Sequence, residues 1–348
     1  VSDTLLVEPS AQPRSRRLLG TLLRSREIAV AAVLLLLILG TTLKSGDFIF
    51  SSDGWRNLLV TPSLLLLLAV GQTVVIVTRN VDLSVGSILG LTAYFTGRMF
   101  IDNPGIPIVV VFALGMLLGA VLGLINGALV AFGKVPALVI TLGTLYIYRG
   151  VFLSWAGSDR INASDMPRDF LALGTKTILT IPVLTIIALV VLAAVGYYLH
   201  TARGGRELYA IGSDPDAAKL YGLPVTRRVL VAFVISGALA GLAGVVYAAR
   251  YGTVSSGAGL NIELQAVGAA VIGGVAIFGG SGTVWGAALG AFLLITINRA
   301  LPIVGISDFW QRAVVGVLII AAIVLDRVLT IRQERRLVAA RDEVRTSA

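Results

Sequence analysis

The chain of 348 residues has no cysteine, one histidine and few charges, and each shortage closes off a class of function. Without cysteine there is no disulfide framework, no thiolate metal site and no cysteine nucleophile. His200 is the sole imidazole, so zinc centres that combine several His and Cys ligands are excluded as well. A serine hydrolase would have to take its base from His200, at the edge of an apolar run. Only 14% of the residues are charged, against about a quarter in an ordinary globular domain, while 56% are hydrophobic. Lipid offers the backbone no hydrogen-bond partner, so a chain this apolar must cross a membrane as helices of about 20 residues or as a closed barrel. The unbroken apolar runs favour helices, and the fold class expected is an all-α polytopic membrane protein.

Nucleotide motifs are also missing. A phosphate-cradling loop ends in Gly-Lys-Ser/Thr, but Gly133-Lys134 is followed by Val135, and position 128 holds Ala128 instead of glycine. The stretch Gly280-Ser281-Gly282-Thr283-Val284-Trp285-Gly286 has the wrong spacing for a dinucleotide fingerprint and reads as a tight turn between helices.

The apolar stretches number about ten, near 28–43, 58–78, 83–100, 106–132, 138–155, 178–199, 228–249, 262–279, 283–300 and 309–326. The first follows Arg24 and Arg26 like a secretory signal, but Lys44-Ser45-Gly46 is no small-residue cleavage site, and it is expected to remain as a span. This divides the chain into a basic segment 1–27, a transmembrane domain 28–327 with a long polar loop at about 200–228, and a basic tail 328–348. Lys and Arg number 28 and Asp and Glu 19, a net charge of +9, and the cations flank apolar runs as lipid and topology require rather than nucleic acid. Ten spans put both ends on one side. That side takes the five arginines from Arg14 to Arg26, then Arg79, Lys134, Arg203, Arg206, Lys219, Arg227 and Arg228, and the six from Arg327 to Arg345, so both termini are expected in the cytoplasm.

Two spans are weak. The run 83–100 is short and rich in Gly, Ser and Thr, and 138–155 carries Arg149, so both need cover from neighbouring helices or a water-filled cavity. Arg149 is expected to reach the surface on its long stem, near Tyr146, Tyr148 and Trp155, which suit an interfacial belt and the mouth of a polar pathway equally well. The 39 glycines include Gly115, Gly119, Gly123 and Gly127 at four-residue spacing, which lets helices approach closely. Asp82-Leu83-Ser84-Val85-Gly86 and Glu263-Leu264-Gln265-Ala266-Val267-Gly268 each open a Gly-rich span with an acid, a weak sign of an internal inverted repeat. Asp82 and Glu263 are also the acids expected near membrane depth. There they either cap a helix start or take up a proton or cation.

In the polar loop, Asp214 suits an N-cap, Pro215 the first helical position and Gly222 a stop, which describes a helix of about two turns. A helix that short is marginal in water and needs a surface to hold it, either its own bundle or a docking partner.

On these residues the chain resembles the permease subunits of bacterial monosaccharide importers of the ATP-binding-cassette type, those for ribose, xylose, arabinose and rhamnose. The likeness runs over about 28–327. It rests on Asp82-Leu83-Ser84-Val85-Gly86, Asn126-Gly127, Lys134-Val135-Pro136, Thr141-Leu142-Gly143-Thr144, Gly205-Arg206-Glu207-Leu208-Tyr209-Ala210-Ile211-Gly212, Gly273-Gly274 and Gly279-Gly280-Ser281-Gly282. Branched-chain amino acid permeases are similar in plan, but the Asp-Leu-Ser-Val-Gly form belongs with the sugar branch, which also serves nucleosides and signalling molecules. The resemblance implies no cofactor on this chain, ATP being used by a cytoplasmic ATPase. Further partners are a periplasmic or lipid-anchored solute-binding protein, a second permease copy or paralogue, and membrane lipid. It further implies that Gly212, Ser213, Asp214, Pro215, Asp216, Ala217, Ala218, Lys219, Leu220, Tyr221 and Gly222 form the coupling helix. Gln72, Asn80, Asp82, Asn126 and Thr141 are expected to line the solute path. The rival readings are a proton- or ion-coupled secondary transporter working through Asp82 or Glu263, and a membrane-embedded enzyme, for which no nucleophile or metal constellation is visible.

Overall fold

A computed structural model describes residues 26–307 except Lys134, together with part of 309–324. Apart from one two-residue hairpin, the regular elements among the described residues are helical. In chain order they are α1 (Arg26–Lys44), α2 (Asp47–Phe50), α3 (Ser52–Ile76), α4 (Val85–Asp102), α5 (Ile108–Gly133), α6 (Ala137–Ala156) and α7 (Arg168–Ala172). Strands β1 (Thr177–Ile178) and β2 (Ile181–Pro182) follow, then α8 (Val183–Thr201), α9 (Arg203–Ser213), α10 (Pro215–Leu220), α11 (Val225–Tyr251), α12 (Ile262–Ile272) and α13 (Val284–Ile303). Seven of these, α1, α3, α5, α6, α8, α11 and α13, are long and apolar enough to cross a membrane.

Burial sorts the helices into an inner and an outer set. The span of α3 is 89% buried and that of α11 72%, whereas α5 is 22% and α1 only 6% buried, so α3 and α11 form the centre and α1 and α5 the rim. Helix α1 lies along α13. The stripe Gly115, Gly119, Gly123 and Gly127 of α5 faces α11. A Cβ at Gly119 would overlap the carbonyl oxygen of Gly237, and one at Gly237 would overlap that of Gly119. The two backbones therefore touch, which only glycine allows.

Eight of the ten expected spans coincide with helices over most of their length. The exception in length is 262–279, because α12 ends at Ile272. Gly273 packs against the backbone of Gly286, and Gly274, Gly279, Gly280 and Gly282 all take positive φ, a backbone no helix continues through. The stretch expected at 178–199 starts as a helix only at Val183, since 177–182 form the hairpin, with Ile178 paired to Ile181. The stretch at 309–326 lies partly, the basic tail wholly, and the basic segment 1–27 all but Arg26 and Glu27, outside the described residues.

Two connections turn back into the bundle instead of staying at its surface. Helix α3 ends beside α9, yet six residues later Asp82 bonds Ser236, about 17 Å along α11 from its start. From the opposite face, the chain after α11 pairs Val254 with Ile161 and then descends until Gly259 packs on Gly86. Helices α4 and α12 start inside the bundle, where these two segments meet. Helix α12, of 11 residues, spans only about 16 Å.

Candidate functional site

The first inward segment, residues 77–84, is held by side chains from four helices. Gln72 of α3 brackets residue 82: its amide nitrogen donates to the Asp82 carbonyl, and its oxygen accepts from the Asp82 amide at 3.4 Å. The Asp82 Oδ1 accepts from the Ser84 amide at 3.0 Å and the Ser84 hydroxyl at 2.7 Å, and Oδ2 accepts from Ser236 of α11 at 3.3 Å. Ser84 Oγ in turn accepts from Asn126 of α5 at 2.7 Å. The Tyr148 hydroxyl of α6 lies 3.0 Å from Asn126 Oδ1 and 2.9 Å from the Leu122 carbonyl. Thr141 of α6 donates to the Val81 carbonyl at 3.1 Å. A backbone without regular structure at membrane depth needs such cover, because each unpaired group there costs several kcal/mol by rough measure.

This changes the reading of the expected path residues. Gln72, Asp82, Asn126 and Thr141 are wholly buried, so here they knit the broken backbone and face no open space. Asn80 is partly exposed and bonds Thr78, within its own turn. Asp82 fits the capping alternative, since it accepts from the amide of Ser84, the residue before α4. Arg149 departs from expectation too: it does not reach for the surface, but donates to the Ala258 carbonyl at 2.7 Å and is only 9% exposed. Of the three aromatic residues near it, Tyr148 turns inward while Tyr146 and Trp155 stay exposed.

Above this network, on the side of the second inward segment, lies a cavity of about 350 Å³ lined by Leu83, Ser87, Leu142, Leu145, Tyr146, Arg149, Leu260, Asn261, Glu263 and Leu264. Glu263 is thus the one of the two acids that meets open space.

Below the network is the polar loop. Helix α10 has the features expected of it: Asp214 Oδ1 accepts from the amides of Asp216 and Ala217, each at 3.0 Å, Pro215 is its first residue, and Gly222 turns the chain at φ 74°. Ala218 faces inward, while Leu220 and Tyr221 are 89% and 87% exposed. The root of this projection is pinned. Arg79 Nε donates to the Gly212 carbonyl and Nη2 to the Ser213 carbonyl, both at 2.5 Å. A Cβ on Gly212 would overlap the Val77 carbonyl, which accepts from the Gly280 amide at 3.0 Å. Residues near 77, 212 and 280 therefore meet at one joint. Beside it Glu207 pairs with Arg228 of α11 at 2.5 Å and with the exposed Arg203 at 2.8 Å, which holds its carboxyl below the ordinary 4.5.

Sequence reasoning counted Arg79 only among the inner charges and did not single out Ser236. The available signals were a cation directly after a long apolar run, and a hydroxyl next to a glycine in the middle of one. No group of three or more His, Cys, Asp and Glu suited to a metal ion occurs among the described residues.

A family model described as branched-chain amino acid transport system / permease component matches residues 55–323. Among curated proteins, the autoinducer 2 import system permease protein LsrC of Shigella flexneri is 37% identical over 274 residues, 79% of each chain. LsrC of Enterobacter sp. (strain 638) is 35% identical over 306 residues, 88% of each chain. That of Yersinia pseudotuberculosis serotype O:1b (strain IP 31758) is 35% identical over 288 residues, 83% of this chain and 81% of the other. No solved structure matches the chain.

Proposed function

Since the chain belongs to the family of branched-chain amino acid transport permease components, we propose that it is the membrane-spanning subunit of an ATP-driven importer of a small, hydroxylated, sugar-like solute. It sits in the bacterial inner membrane with both termini in the cytoplasm. A separate ATP-binding-cassette ATPase supplies the energy, a solute-binding protein delivers cargo to the other face, and a second permease subunit completes the pathway. The sugar-importer motifs at 82–86 and 205–212, together with relatives named for autoinducer 2 import, support the choice of solute class.

The observation that carries this reading is the joint. Helix α10 presents Leu220 and Tyr221 to solvent on a projection whose root is bonded, through Arg79, to the segment bearing Asp82. Two large exposed side chains at the tip suit insertion into a groove of a partner. A push on the tip then reaches residues 77–84, whose Leu83 is part of the cavity wall. ATP-driven closure of the ATPase pair in this way shifts the bundle between inward-open and outward-open states. The packing of Gly86 against Gly259, where two inward segments meet from opposite faces, supports the internal inverted repeat.

The test is co-purification from the source cell. Wild-type chain should bring down an ATPase of this class, and a Leu220→Ser/Tyr221→Ser variant that inserts normally should lose it. Recovery of equal ATPase with both chains removes α10 from the coupling role. No ATPase with either chain overturns the importer reading. Proton-coupled transport is the second reading. It is weakened by Asp82, whose two oxygens are occupied by Ser84 and Ser236 and which is wholly buried.

A further inference from the structure

The cavity above the Asp82 network holds two opposite charges that do not close on each other. Arg149 and Glu263 lie near enough to feel one another electrostatically. Yet among the described residues they form no ion pair within 4.0 Å. An intramembrane pair normally closes up, because desolvated charges are costly apart. Here the geometry keeps them separate. Arg149 is drawn to the Ala258 carbonyl and lies over Phe152 at 5.6 Å, and Glu263 sits in the first turn of α12 against Gly86. Asn261 precedes α12 with φ 61° and makes no capping bond, and its side chain belongs to the same cavity wall.

Resting on the importer reading, we propose that this cavity is a solute station inside the permease, where a small uncharged polyol bridges Arg149 and Glu263. The chemistry selects that class. A carboxylate accepts from two hydroxyls, a guanidinium donates to hydroxyl or ring oxygens, and an amide such as Asn261 does both. The two charges compensate each other, and Glu263 is further offset by the positive end of α12, so the site has little net charge to offer an ionic cargo. Leu83, Leu142 and Leu264 with the exposed face of Tyr146 supply the apolar walls against which C–H surfaces pack. A volume of about 350 Å³ falls at the lower end of the range of small-molecule sites.

The absence of cysteine makes the test direct. Leu264→Cys, at a wall position 57% exposed, gives one thiol in the full chain in membrane vesicles, and Leu260→Cys provides a second such position. The rate of labelling by a water-soluble maleimide is read with D-ribose, D-xylose, D-glucose or L-leucine present. A bound sugar should slow labelling about tenfold at about ten times its apparent Kd. Tyr221→Cys on α10 should label at an unchanged rate. Adding Glu263→Gln should raise the half-protecting sugar concentration about tenfold to a hundredfold, the effect of losing one charged hydrogen-bond partner. The proposal is overturned if no sugar protects either thiol, if L-leucine protects and the sugars do not, or if Glu263→Gln leaves protection intact. ATPase capture is read separately. A chain that captures its ATPase but shows no protection loses this station and keeps the importer reading, and the reverse outcome separates the two the other way.

Discussion

Arg79 joins carbonyls at the end of α9 to the segment that leads into α4, and its planar fork lets one side chain hold two of them. Arg79→Ala should therefore abolish solute-stimulated ATP turnover while the chain still inserts and still binds its ATPase, as read in reconstituted vesicles. Arg79→Lys, a single point of donation, should recover only part of it. The loss in stability should be modest, about 1–3 kcal/mol, since a charged hydrogen bond contributes about that much and Nη2 is on the exposed side. Glu207 responds to pH. Its carboxyl is held low first by Arg228 and then by Arg203. The pair thus stabilises the folded chain fully above the ordinary carboxyl value of 4.5, and that contribution fades as pH falls through the lower folded value. In a melting series in detergent, Glu207→Gln should lower the midpoint at pH 7 and differ progressively less from wild type below pH 4.5. An equal deficit at every pH would show that the charge is not what matters.

At the scale of elements, the glycine stripe between α5 and α11 separates packing from propensity. Gly119→Ala places a methyl group into the Gly237 carbonyl and close to the Gly241 backbone, so the helices must part. Gly143→Ala in α6 has nothing within 4 Å and gains helix propensity of about 1 kcal/mol. The expected result in thermal melts of the purified chain is a clear loss for the first and no change or a gain for the second. These elements were largely legible beforehand. Apolar runs between charges located eight spans, and Asp214-Pro215 with Gly222 located α10, because hydropathy and capping are local properties. What escaped was anything set by a partner distant in the chain. The halt of α12 at Ile272 depends on Gly273 meeting Gly286. The burial of Gln72 and Asn126 depends on an inward-turning segment that they themselves secure. Arg149 looked like a residue that seeks water because nothing in its own run announces the Ala258 carbonyl that receives it.

For the whole molecule, polar contacts are strung along the backbone of residues 79–87 from the α10 face to the cavity: those of Arg79, then of Asp82 with Gln72 and Ser84, then of Ser84 with Asn126, which also meets Tyr148, then of Ser87, whose hydroxyl donates to the Leu145 carbonyl at 2.8 Å. A change in the middle should be felt at both ends. Asp82→Asn keeps the size but weakens acceptance from Ser84 and Ser236, and it is expected both to raise protease access to 214–223 and to alter Leu264→Cys labelling. An effect at one end only would break the series.

The joint at Val77, Gly212 and Gly280 also dates the birth of the protein. Its earliest member leaves the ribosome about 200 residues before its last, roughly 10–40 s at about 5–20 residues per second. Throughout that interval the Val77 carbonyl has no Gly280 amide to accept from. The nascent chain is thus inserted for many seconds before it is closed. A chain ended at Ile272 should enter the membrane normally and then be destroyed quickly, with a pulse-chase half-life far shorter than that of the full chain. The turn at Gly280 thus closes, late in synthesis, a joint whose two earlier members have been in place for many seconds.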